Sequence, residues 1–142
     1  MSDHIVIGIN EEKYGLAIAD IQEIIKLLPI TDIPSVPHYV EGVINLRGRI
    51  VPVIGMRARF GMPVGDRGEA SRIVIVNTAE GEAVGLLVDN VMQVVPFAEA
   101  LPAPDGVGGG DQTYLKGIGK LDDQLISLLD LGKVLGKGES HR

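Results

Sequence analysis

Gly15-Leu-Ala-Ile-Ala-Asp-Ile-Gln-Glu-Ile-Ile25 returns later in the chain as Gly85-Leu-Leu-Val-Asp-Asn-Val-Met-Gln-Val-Val95, with the apolar positions matched nearly throughout. The recurrence continues outward from this pair. Tyr39-Val-Glu-Gly42-Val-Ile matches Tyr114-Leu-Lys-Gly117-Ile-Gly, and Arg49-Ile-Val-Pro-Val-Ile54 matches Gln124-Leu-Ile-Ser-Leu-Leu129. The offset is 70 residues at first and 75 later, and extra residues in Asp105-Gly-Val-Gly-Gly-Gly110 account for the change. A repeated order of strand patterns predicts two similar barrels. The polar, Gly-rich stretch Gly61-Met-Pro-Val-Gly-Asp-Arg-Gly68 marks the expected changeover, giving a first barrel over 1–66 and a second over 67–142 within one domain. A barrel of about 60 residues buries only roughly 60% of its unfolded surface, so the two are expected to lean on each other.

Each half resolves into short elements. Ile5–Ile9 and Tyr14–Ile18 read as strands. Asp20–Ile25 places Ile21, Ile24 and Ile25 at i, i+3 and i+4, which predicts a short helical turn. Ile30–Ile33 is extended and stops at Pro34; Val43–Leu46 and Arg49–Ile54 form a hairpin around Arg47-Gly48. The second half repeats the pattern with Arg72–Val76, Ala83–Val88, Val91–Val95, Leu115–Gly119 and Gln124–Leu129. A small helix follows each hairpin, Met56–Phe60 and Leu131–Leu135. Asp130 can cap the second through its carboxylate, whereas Gly55 is the weaker equivalent in the first. The fold class is mainly β.

Composition agrees and narrows the function. Apolar residues are 45% and charged residues 23%, while aromatics amount to three Tyr and two Phe, so the core is aliphatic. Val and Ile suit pleated strands. With 13 basic and 19 acidic residues the net charge is −6, which argues against nucleic acid, whose phosphates need a basic face, and against an anionic membrane surface. There is no Cys, which excludes disulfides and thiolate metal sites. Met1-Ser-Asp-His4 lacks the basic-then-apolar pattern of a signal peptide, and no apolar run approaches the ~18 residues that span a bilayer. A cytoplasmic protein is expected.

No catalytic constellation emerges. His4, His38 and His141 lack metal-type spacing, and Ser2, Ser35, Ser71 and Ser127 stand outside any Gly-x-Ser-x-Gly elbow. Gly106–Gly110 is not followed by the Lys-Ser/Thr of a phosphate cradle. Asp122-Asp123 reads as a hairpin turn, and Asp20 and Asp89 read as caps at strand borders. A small ligand-binding barrel would need polar residues converging on a pocket, and none is evident. No catalytic residue, metal or cofactor is expected. One feature stands apart: Gly42-Val-Ile-Asn-Leu-Arg-Gly48 sets a lone Arg at the tip of an apolar hairpin. Gly48 permits a tight reversal, Asn45 can satisfy the turn's backbone, and Arg47 then projects as a rigid donor fork for a partner's carboxylates or carbonyls. A solvated turn Arg is the alternative.

These residues resemble the CheW-like family. Its Gly-Val-x-Asn-Leu-Arg-Gly-x-Ile-x-Pro segment is present at Gly42–Pro52, preceded by a Tyr-Gly…Gln-Glu-Ile segment at Tyr14–Ile24. Pro34, Val40–Gly42, Gly85–Asp89 and Tyr114-Leu-Lys-Gly117 also fall in place, so that the likeness spans about residues 4–136. It departs at Gly55-Met56, where the family usually has Asp-Leu. The resemblance implies two SH3-like five-stranded β-barrels with a shared core. It also implies a non-catalytic adaptor coupling methyl-accepting chemoreceptors to the histidine kinase CheA, in the cytoplasm and recruited to receptor arrays without entering the membrane. Carried over by position, the residues facing the cytoplasmic tip of the receptor are Ile21, Glu23, Ile24, Gly42, Arg47 and Val94. Ile73, Gly85 and their neighbours are expected to face the CheA regulatory domain. A CheV-like protein or another CheA-regulatory module is the alternative within the same resemblance; a chain ending soon after its second barrel favours the free-standing coupling protein.

Overall fold

The structure, a computed structural model, describes residues 2–65, 67–97 and 114–136. It contains ten strands: β1 (Ser2–Ile9), β2 (Glu12–Ala17), β3 (Ile21–Lys26), β4 (Val40–Leu46), β5 (Arg49–Gly55), β6 (Arg72–Asn77), β7 (Ala83–Val88), β8 (Asn90–Phe97), β9 (Leu115–Leu121) and β10 (Gln124–Leu129). Helix α1 (Met56–Arg59) follows β5 and α2 (Leu131–Leu135) follows β10. The Asp105–Gly110 loop lies outside the described residues.

The strands form two five-stranded sheets, β8-β1-β2-β10-β9 and β3-β6-β7-β5-β4. The orders are identical once β1–β5 are matched with β6–β10. Register confirms the match pair by pair. Val6 lies opposite Gly15 as Ile75 lies opposite Gly85. The parallel contacts Leu128–Gly15 and Val53–Gly85 correspond, as do Val94–Ile5 and Ile24–Val74. The repeat is therefore real, but the division at Gly61–Gly68 is not where the barrels part. Each barrel takes its first two strands from one half and its last three from the other: β1, β2, β8, β9 and β10 make one, and β3 to β7 the other. The expected barrels over 1–66 and 67–142 are corrected accordingly. Strand patterns report which residues pair with a sheet, not which copy of that sheet receives them.

Exchange gives the molecule three apolar layers. Val6, Val95, Ile126 and Leu128 fill the first barrel. Ile44, Leu46, Val51, Val53, Ile73, Ile75 and Ala83 fill the second. Between the barrels lies a larger shared core that includes Ile5, Ile7, Leu16, Val74, Val76 and Leu86. Strand β6 contributes to two layers at once, so Ile73, Val74, Ile75 and Val76 are all fully buried. A strand covered on both faces reads as a continuous apolar run for this reason.

The expected helical turn at Asp20–Ile25 is replaced by a 3-10 turn at Ile18–Asp20 and then β3. A bulge explains the misleading spacing. Ile21 faces Val76 and Glu23 faces Ile75, leaving Gln22 as the extra residue. The inserted residue resets the alternation, so Ile21 and Ile24 both pack on the shared core while Ile25 packs on the second barrel's interior.

The hairpin–helix units correspond closely. The Gly55 N–H bonds the Tyr39 carbonyl at 2.8 Å and the Asp130 N–H bonds the Tyr114 carbonyl at 2.8 Å. Asp130 caps α2, accepting the Lys133 N–H at 3.1 Å. Gly55 provides no side-chain cap, and a Cβ there would meet the movable end of the Glu41 side chain. The two repeat tyrosines bracket one guanidinium: Arg59 lies 4.3 Å from the Tyr39 ring centre and 5.0 Å from that of Tyr114. Arg59 also donates through Nε to the Val134 carbonyl at 2.7 Å, fastening α1 to the end of α2.

Candidate partner-binding surface

The hairpin β4–β5 turns through Arg47 and Gly48, whose φ values are 52° and 87°. Two positive φ values in a two-residue loop match the twist of the flanking strands. Gly48 takes this conformation freely, and the Asn45 side-chain oxygen accepts the Gly48 N–H at 2.8 Å. Arg47 is thus carried on a fixed turn. Its guanidinium pairs with the Glu23 carboxylate of β3, on the opposite edge of the same sheet. The Arg47 side chain keeps 65% of its surface exposed and Glu23 keeps 27%. An exposed ion pair of this kind contributes roughly 0–1 kcal/mol to stability, so most of its donor capacity is available to another molecule.

The other receptor-side candidates occupy different environments. Ile21 and Ile24 are half-buried against the shared core. Val94 lies on β8 of the other barrel, at the position matching Ile24, and is 54% exposed, with Met92 nearby in sequence at 45%. Gly42 is buried and presents no side chain. Its φ of 144° and its close approach to the Thr31 carbonyl allow the Ile30–Thr31 segment to lie against β4. There Thr31 and Val43 exchange backbone hydrogen bonds at 2.8 and 2.9 Å.

The kinase-side candidates are internal. Ile73 has no accessible surface, and a Cβ on Gly85 would sit 2.7 Å from the Ile73 side chain. Both shape the second barrel and neither offers a contact face, because β6 is covered on both sides. Sequence reading missed the surfaces that are offered: Ile50 and Leu125, matched across the repeat, are 66% and 65% exposed. Strand alternation carries the signal for Ile50. With Val51 and Val53 buried, Ile50 and Pro52 must face outward. Asp89, expected only as a cap, accepts the Asn10 N–H at 2.6 Å and pairs with Arg57 at 2.8 Å. Asp122-Asp123 forms the β9–β10 turn, with Asp122 at φ 53°, the counterpart of Arg47.

The CheW-like domain matches residues 3–139. The chain belongs to the CheW-like family. It is 32% identical to the chemotaxis protein CheW of Klebsiella aerogenes over 139 residues, covering 96% of this chain and 83% of that one. It is 33% identical to the CheW of Bacillus subtilis, covering 96% and 88%. The crystal structure of the scaffolding protein TtCheW from Thermoanaerobacter tengcongensis superposes with a TM-score of 0.89 at 37% identity, covering 99% of this chain and 97% of that one. Membership makes the chain a non-catalytic chemotaxis adaptor, and the family's two-barrel fold is the one described above. Among the described residues no helix is long and apolar enough to cross a membrane.

Proposed function

We propose that the chain couples the cytoplasmic tip of chemoreceptors to the regulatory domain of CheA through two separate surfaces, in the cytoplasm at receptor arrays. The receptor surface centres on Arg47 and Glu23. The observation that carries it is their ion pair, which joins the Gln-Glu-Ile and Asn-Leu-Arg-Gly motifs of the family at one exposed place on the sheet. A receptor helix presenting carboxylates or free carbonyls can take the unused donors of Arg47, while Ile21 and Ile24 form the apolar wall beside them and Val94 adds an exposed aliphatic contact. Gly42 positions this surface and does not touch the receptor. The kinase surface lies over the second barrel, where Ile73 and Gly85 hold the strands that a partner barrel would meet.

The test is a pair of affinities on the same full-length variant. Arg47→Ala, at an exposed site, is expected to keep the melting temperature and to lose affinity for a receptor-tip fragment. Affinity for the CheA regulatory domain should change far less. Equal loss toward both partners, or loss toward neither, would refute the assignment of two surfaces.

A further inference from the structure

The two seams between the barrels correspond through the repeat, yet among the described residues one is shut and the other open. At the first seam Arg57 of α1 donates through Nε to both Asp89 oxygens, at 3.2 and 3.0 Å, and through Nη2 at 2.8 Å. Asp89 in turn holds the Asn10 N–H of the β1–β2 turn. The connector after α1 lies across this seam as a strap: Arg57 donates to the Pro63 carbonyl at 3.2 Å and Arg67 pairs with Glu41. A cavity of about 30 Å³ remains, edged by Met56, Val64 and Arg67. That is room for a water or two.

The repeat offsets carry Glu41, Met56 and Arg57 to Lys116, Leu131 and Gly132, and carry Asp89 to Ala19. These four counterparts line a groove of about 500 Å³ at the second seam. The lock is absent there because Gly132 and Ala19 have neither guanidinium nor carboxylate. The apolar floor is kept, with Leu131 in place of Met56 and Leu135 beside it. The charge facing the strap is reversed: Glu41 takes Arg67 at the first seam, and exposed Lys116 stands in its place at the second. Among the described residues no carboxylate pairs with Lys116. Asp130 also lines the groove, but its carboxylate is engaged by the Lys133 N–H.

We propose that the open seam is a docking groove for an extended segment of a partner protein that carries an aliphatic residue and, three residues later, an Asp or Glu. Such a segment lies as the strap lies, with its carboxylate on Lys116 where the strap sets Arg67 on Glu41. Asp20 at the same groove disfavours the carboxylate elsewhere, which fixes the segment's register. The strap of a second copy is disfavoured by its own Arg67. The groove shares no residue with the Glu23–Arg47 surface.

Two octapeptides test this on the full chain: the strap sequence Gly61–Gly68 and its R67E counterpart, titrated with NMR shifts as the readout. The R67E peptide is expected to shift Thr78, Lys116, Leu131 and Leu135 and to bind about tenfold tighter than the native sequence, the size of one favourable charge contact against one unfavourable. Lys116→Glu, at an exposed position, should reverse the order of the two peptides. Absence of binding, shifts outside the second seam, or a preference indifferent to Lys116→Glu would overturn the proposal. Tighter binding of the native strap sequence would assign the groove to a second copy. Shifts at residues 137–142 caused by Lys116→Glu alone, without peptide, would assign it to the chain's own C-terminal segment; either result overturns a partner segment.

Discussion

Gly42→Ala separates a residue that builds the surface from one that touches the partner. At φ 144° Gly42 holds a backbone conformation that side chains rarely adopt, and a Cβ there would overlap the Thr31 carbonyl oxygen and press on the Ile30 side chain at 2.9 Å. Relief requires moving either φ or the Ile30–Thr31 segment. Holding a non-glycine residue in such a region costs about 1–3 kcal/mol. Moving the segment instead breaks the 2.8 and 2.9 Å hydrogen bonds between Thr31 and Val43, each about 1 kcal/mol. The obstacle is backbone rather than a flexible side-chain end, so little relaxation is available. A loss of about 2–4 kcal/mol follows, a large share of the roughly 5–15 kcal/mol that holds a typical domain. Reversible denaturation followed by circular dichroism should show a fall in midpoint with an unchanged slope, and a melting temperature lower by roughly 6–16 °C. Receptor affinity measured well below the midpoint should fall only modestly, since no contacting atom is removed. A melting temperature within about 2 °C of wild type would show that the Thr31 segment yields freely and that the steric reasoning is wrong.

Arg47→Ala should do the opposite, shifting stability by no more than about 0.5 kcal/mol while weakening receptor binding by about 1–3 kcal/mol; calorimetry on the one variant reads both. Ile73→Ala should cost about 2–5 kcal/mol through the cavity it leaves. If its loss of CheA binding vanishes once measured at a temperature where the variant is fully folded, Ile73 acts from inside; a loss that persists in the folded variant would make it a contact after all. Because the barrels share one core and exchange strands, thermal unfolding should be a single transition, and two resolved transitions in a calorimetric scan would contradict that coupling.

What could be read from the sequence was local. The hairpin at Arg47-Gly48, the Asp130 cap and the paired Tyr-x-x-Gly segments are short-range devices, and each is present in the structure. All five strands were legible in the second half and four of five in the first, because alternation survives in a strand whichever sheet receives it. The exchange was invisible for the same reason: Gly15 meets Leu128 and Gly85 meets Val53, pairs far apart in the chain, and nothing local in a glycine names its partner. At Ile21–Ile25 a single bulge imitated helical spacing. Glu23 and Arg47 were each expected at the receptor surface, but their pairing depends on two sheet edges meeting. Ile73 and Gly85 went wrong on burial, although the unbroken run Ile73-Val-Ile-Val76 already suggested a strand with no free face.

The strand exchange also bears on ancestry. Each half of the chain sends its first two strands and its last three to different barrels. Two copies close both barrels reciprocally, which is the arrangement of a symmetric homodimer. Joining the copies through a connector such as Met62–Gly68 preserves every strand pairing while releasing the two halves from identity. Positions that a homodimer would have to keep the same can then diverge, and the turn tips show how far: Arg47-Gly48 on one half, Asp122-Asp123 on the other. A fused pair can meet two different partners, where a symmetric homodimer would meet the same partner twice.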